Sequence, residues 1–319
     1  MIDLAQQRLG SKVVFQTDEF FAKASRIIKS DKPIFIPNKF DNHGKWMDGW
    51  ETRRKRNKGH DYLIIRLGKK GRISKVNIDT SHFNGNQPSF ASIEACYSKK
   101  NIPGKKAKWK IILSKKKTEP NCHNIFNIKN RFIFTHIKLN IFPDGGVARL
   151  RVYGEIAADK IFFGKKIINL SSLLNGASVI ACNNEHFGKA ENILAPGKGK
   201  NMGDGWETRR SRGKNIDWII IKCLKGKINN FEIDTHHFKG NYPDMCSVQA
   251  AFLCGKKNNK FIVKNSEKWK TLLNKVKLQS NKKHSFKNKL MKNNKINYIR
   301  INIFPDGGIS RVRMFGRVE

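Results

Sequence analysis

Hydrophobic and polar positions alternate with a short period along most of this chain. The runs "YLIIRL" (62–67) and "WIIIKC" (218–223) are apolar, short and β-branched, and read as buried strands. In "IFTHIKLNIF", Ile133, Ile137, Leu139 and Ile141 alternate with His136, Lys138 and Asn140, which is the period of two that a strand shows. "VARLRVYG" (147–154) alternates too. It sets Leu150 and Val152 against Arg149 and Arg151, which are expected to face outward. "PDGG" supplies a tight turn between these last two strands. Helical spacing is rare. "SEKWKTLLNKV" predicts a helix capped by Ser266, with Trp269, Leu272, Leu273 and Val276 on one face, and "DEFFAKASRII" predicts another. Many strands and few short helices give an all-β class, a β-sandwich or jelly roll.

The same pattern is written twice. "DGWETRR" occurs at 48–54 and, unchanged, at 204–210. "GHDYLIIRLGKKGRISKVNIDTSHFNGNQP" from Gly59 matches "NIDWIIIKCLKGKINNFEIDTHHFKGNYP" from Asn215, and "LNIFPDGGVARLRVYGE" matches "INIFPDGGISRVRMFGR". The segments keep their order, so the chain is a tandem duplication: a first repeat at 1–156, a linker at 157–167 and a second repeat at 168–319.

Charge changes the picture less than its size suggests. The net charge is +39, but the lysines lie in scattered surface-like runs that do not recur in step between the repeats. A solvated lysine coat is therefore expected, and no nucleic-acid partner. The six cysteines form no CxxC pair and no repeated spacing, which predicts free thiols in a reducing compartment. No apolar run reaches the roughly 20 residues of a membrane helix. "MIDLAQQRLG" has no signal-peptide pattern, so a soluble, cytoplasmic protein is expected. Phosphate loops, dinucleotide fingerprints, GxSxG and HExxH are absent.

Three polar clusters recur. The first is Asp48, Glu51, Arg53 and Arg54, matched by Asp204, Glu207, Arg209 and Arg210. The second is Asp79, Thr80, His82, Asn84 and Asn86, matched by Asp234, Thr235, His237, Lys239 and Asn241. The third is Asp144, Arg149 and Arg151, matched by Asp306, Arg311 and Arg313, which reads as an ordinary turn. Trp50 and Trp206 read as packing residues. Paired arginines suit a carboxylate, and carboxylates beside a histidine suit proton transfer or a divalent metal. Together they fit a small, anionic, nitrogen-rich substrate.

"MDGWETRR", "IDTSHFNGNQP" and "LNIFPDGGVARLRVYG", repeated with few changes across nearly the whole chain, resemble the allantoicase (allantoate amidinohydrolase) family. The resemblance implies two tandem jelly-roll β-sandwich repeats of the galactose-binding-like type, and hydrolysis of allantoate to ureidoglycolate and urea. On that reading Glu51, Asp79, His82, Glu207, Asp234 and His237 are catalytic candidates. Asp48, Arg53, Arg54, Asn86, Asp204, Arg209, Arg210 and Asn241 are substrate-binding candidates. No cofactor is firmly implied, a divalent metal stays open, and a homo-oligomer is expected. Asn84 departs from the pattern, since Lys239 is its counterpart. A non-enzymatic carbohydrate- or ligand-binding β-sandwich module is the alternative, and whether one or both repeats work is left open.

Overall fold

The two apolar runs open the longest strands of the protein, Asp61–Asp79 and Asp217–Asp234. The computed structural model describes residues 1–157, 166–211, 216–255 and 257–319. The chain divides into two compact units, Met1–Ala157 and Ala158–Glu319. Of the linker read at 157–167, positions 158–165 lie outside the described residues.

Each long strand belongs to both layers of its sandwich. In the first repeat its opening half, Asp61–Arg66, lies between Lys12–Gln16 and Phe134–Phe142. Its closing half, Gly71–Asp79, lies between Arg149–Ile156 and His123–Asn127. Phe134–Phe142 pairs onward to Phe90–Cys96, and that strand to Lys110–Lys117, so one layer is extended. The second repeat copies this. Asp217–Lys222 lies between Ser178–Cys182 and Ile296–Phe304, while the half ending at Asp234 lies between Arg311–Val318 and Lys283–Ser285. All of these pairings are antiparallel, and each repeat is a jelly-roll β-sandwich. Because both layers share one strand, the end of each long strand is fixed relative to both sheets. Asp79 and Asp234 sit at that end.

The alternation places the core as expected. Leu63, Ile65, Ile73, Val76 and Ile78 are buried along the first long strand, with Ile137, Leu139 and Ile141 beside them. Burying side chains of this size stabilises by about 1.5–3 kcal/mol each.

Two sequence expectations are corrected. The segment read as the helix 266–276 is mostly the strand Lys270–Lys277, paired with Met245–Ala251. The α-helix precedes it, at Asn259–Ser266, and its N-cap is Asn258, whose side chain accepts the Phe261 N–H. Ser266 ends that helix and does not start one. Register shifts in the strand pairing let Leu272 and Leu273 both be buried, which mimics helical spacing. "DEFFAKASRII" forms only a 3-10 turn at Ala24–Ile28.

All six cysteines are unpaired. Burial pushes the thiols of Cys223 and Cys246 up to about 12, whereas Cys254 is exposed. At pH 8 the folded chain should react with an aromatic disulfide reagent rapidly at Cys254. Cys223 and Cys246 should react only after denaturant is added. Rapid labelling of these two in the folded chain, read by peptide mapping, contradicts the packing described.

Candidate active site

Three loops meet at one end of each sandwich, and each carries one of the repeated motifs. "DGWETRR" contributes a two-residue strand, Trp50–Glu51 or Trp206–Glu207. It pairs with the "GV" or "GI" that follows the PDGG turn, at Gly146–Val147 or Gly308–Ile309. The third loop follows the long strand: "HFNGN" or "HFKGN".

Tight packing dictates the letters. Trp50 and Trp206 are fully buried, and their indole N–H groups donate to the carbonyls of Asp18 (2.7 Å) and Asn184 (2.8 Å). Phe83, also buried, packs against Gly49 and Gly146, and Phe238 packs against Gly205 and Gly308. A Cβ on Gly146 would stand 2.0 Å from the Phe83 ring, and one on Gly308 would stand 1.9 Å from the Phe238 ring. Gly145 and Gly307 take φ of 135° and 134°, a conformation that favours glycine. The peptide bonds preceding Pro143 and Pro305 are cis. Thr52 and Thr208 lock the turn, their hydroxyls accepting the N–H of Gly145 (3.1 Å) and Gly307 (3.0 Å). Asp144 and Asp306 reach back to accept the N–H of Lys55 and Ser211, both at 2.6 Å.

Arg149 and Arg311 do not face outward as the alternation suggested. Both are buried, because the loop before DGW folds over them. Arg311 Nη2 donates to Asp204 Oδ2 at 2.6 Å. Its other donors meet the carbonyls of Asp204, Ser310, Gly197 and Lys198. Arg149 binds Asp48 Oδ2 at 2.5 Å, with the carbonyls of Asp48, Ala148, Asp31 and Lys32. A guanidinium can leave water only when its donors are met in this way. Burial pushes the Asp48 carboxyl up, but Arg149, Lys29 and the Ile34 N–H outweigh it and hold it below the usual carboxylate range. Its stabilising contribution is therefore present above about pH 4 and is lost as pH falls through the lower folded value. Asp48 and Asp204, candidates for binding substrate, thus sit beneath the site with their oxygens engaged. Burial, and then Arg311, push Arg313 down to about 10, with Asp234 and Glu232 pulling the other way.

The cleft of the second repeat has a volume of about 570 Å³. The candidates Glu207, Arg210 and Asn241 line it, together with Thr208, Asp306 and Phe187. Asn241 Nδ2 donates to Glu207 Oε1, and Asn86 does the same to Glu51 at 2.8 Å in the first repeat. Burial pushes the Glu51 carboxyl above its ordinary range, while Asn86 pulls it back. Arg53, Arg54, Arg209 and Arg210 are all exposed.

The remaining candidates serve the loops. Asp79 Oδ1 accepts the N–H and hydroxyl of Ser81, and Asp234 Oδ1 accepts the N–H of His236, closing the turn after each long strand. His82 and His237 stand at the corner of that turn with φ of 70° and 73°. Their N–H groups donate to Asn121 and Asn281 (2.8 Å each), and Nε2 of each faces a carbonyl, Pro33 at 3.3 Å or Gly199 at 2.9 Å. Neither Asp234 nor His237 lines the cleft. Among the described residues no group of three or more His, Cys, Asp or Glu side chains is placed to hold a metal ion.

Sequence reasoning missed Thr208, Phe187 and Tyr242 in the cleft wall. The threonine was legible as the unchanged letter inside DGWETRR, and Phe187 as the counterpart of Phe21. Tyr242 stands where the first repeat has Gln87, so no repetition marked it.

The family described as "Allantoicase repeat" matches residues 2–157 and again 168–319. The chain is 48% identical over 318 residues to a probable allantoicase of Acinetobacter baumannii strain SDF, covering 99% of this chain and 94% of the relative. It is 46% identical over 319 residues to one from Acinetobacter baylyi, covering 100% and 95%. The crystal structure of the allantoicase from Saccharomyces cerevisiae superposes with a TM-score of 0.84 at 34% identity, covering 99% of this chain and 92% of that one.

The glycine packing gives a direct test. Gly308→Ala should cost about 1–3 kcal/mol of stability in a denaturant melt, because the methyl group must displace the buried Phe238 ring. An unchanged midpoint would mean that the ring does not hold the turn.

Proposed function

The chain belongs to the allantoicase family, and we propose on that premise that the cleft joining DGWETRR, HFKGN and PDGG is where its reaction takes place. The enzyme hydrolyses allantoate to ureidoglycolate and urea. Non-enzymatic carbohydrate binding is not favoured.

Allantoate is a carboxylate on a carbon that bears two ureido groups. In the reaction one C–N bond breaks and a C–O bond from water forms. The departing nitrogen gains a proton and the water loses one. The single observation that carries the assignment is that Glu207, Arg210 and Asn241 face one cleft of about 570 Å³. Arg210, with Arg209 next to it, presents a planar fork to the substrate carboxylate. Glu207 is oriented by Asn241 and receives the proton of the attacking water. Asp306 and Thr208 are bonded to the backbone and keep the wall in shape. In the first repeat Glu51, Arg53, Arg54 and Asn86 hold the corresponding places. We assign Asp48, Asp79, His82, Asp204, Asp234 and His237 to building the loops, since their hydrogen bonds run to protein groups. A cytoplasmic homo-oligomer belongs to the same proposal. No helix among the described residues is long and apolar enough to cross a membrane.

Urea release from allantoate tests the assignment. Glu207→Gln combined with Glu51→Gln should lower kcat by about 10²-fold or more, and Arg210→Ala combined with Arg54→Ala should lower kcat/KM by at least about tenfold, both with an unchanged melting midpoint. Folded variants that keep full kcat/KM would remove these residues from the chemistry.

A further inference from the structure

The two copies of DGWETRR are identical in letters but differ in what they touch. Asp18 and Asn184 are counterparts, since each offers its carbonyl to the tryptophan of its own motif. In the first repeat Asp18 Oδ2 accepts Arg53 Nε at 2.7 Å, and the guanidinium lies 5.2 Å above the Phe20 ring. Burial pushes the Asp18 carboxyl up, but the Phe20 N–H and Arg53 outweigh it and keep it ionised. The cation after the motif is engaged too: Lys55 Nζ pairs with Asp61 Oδ1 at 2.6 Å.

Among the described residues the second repeat has neither acid contact. Asn184 Oδ1 accepts the backbone N–H of Arg209, at 3.2 Å, and a neutral amide oxygen holds no guanidinium as a carboxylate does. Among the described residues no carboxylate pairs with the Arg209 side chain. His186 replaces Phe20 and packs at 4.3 Å against Phe187, which lines the cleft. Ser211 replaces Lys55. Arg209 is exposed and is not itself a lining residue of the cleft, but its chain neighbours Thr208 and Arg210 both are, so its long side chain starts at the rim.

We propose that the working allantoate site is that of the second repeat, and that Asn184 decides this by leaving the Arg209 guanidinium to the substrate carboxylate, whereas Asp18 claims Arg53 in the first. Asn184 acts by what it does not bring: it sets no carboxylate beside the Arg209 guanidinium, and it does not touch substrate. The inference rests on the reading of the cleft as the allantoate site.

The test uses the full chain and urea release from allantoate. Asn184→Asp imports the first repeat's acid and should raise KM about tenfold or more, with kcat within about threefold and the melting midpoint unchanged. Asn184→Ala removes the amide without adding charge and should keep KM within about threefold. Asp18→Asn should leave both constants within about twofold. A folded Asn184→Asp variant with wild-type KM overturns the proposal. So does an Asn184→Ala variant impaired as much as Asn184→Asp, since charge would then not be the cause. Absence of urea release by the unmodified chain would instead sink the activity on which the proposal rests.

Discussion

A buried ion pair lies under each set of motif loops, and the loops depend on it. Arg311 sends its donors to Asp204 and to the carbonyls of the segment before DGW, and Arg149 does the same in the first repeat with Asp48. The arginine belongs to the strand after PDGG and the aspartate opens DGWETRR, so the pair ties a rigid sheet to an irregular loop. Such a pair contributes little net stability over apolar packing, but breaking it costs about 3–5 kcal/mol because a charge is then left buried and alone. It fixes one arrangement of the loop. That arrangement turns Glu207 and Arg210 toward the cleft.

Glycine and aromatic packing add a second constraint. Phe238 occupies the space that a side chain on Gly205 or Gly308 would need. The two motif strands can therefore approach only as a pair of glycine-bearing segments over one flat ring. This explains why DGW, HF and PDGG recur as a set: no one of the three packs without the other two.

Much of this was legible in the sequence. Duplication was visible from DGWETRR alone, and the apolar runs and period-two stretches marked the long strands and their neighbours. The motifs that meet in space were the motifs that repeated. Other features were hidden for physical reasons. Alternation assigned Arg149 and Arg311 to an outer face, but period says nothing about a loop folding over that face. Leu272 and Leu273 fit a helix by spacing, while register shifts allow the same burial in a strand. Asp48 and Asp204 stood among candidate ligands because one letter serves a buried pair and a substrate contact alike. The contrast between Asp18 and Asn184 lay in the letters, but its meaning required knowing that each flanks its own tryptophan.

The central claim is that the Asp204–Arg311 pair holds the loops as a unit. A double-mutant cycle on unfolding free energy measures this most directly, using Asp204→Asn, Arg311→Met and both together. The account predicts that each single change costs about 3–5 kcal/mol and that the double change costs little more than either one. Single losses that simply add would contradict it.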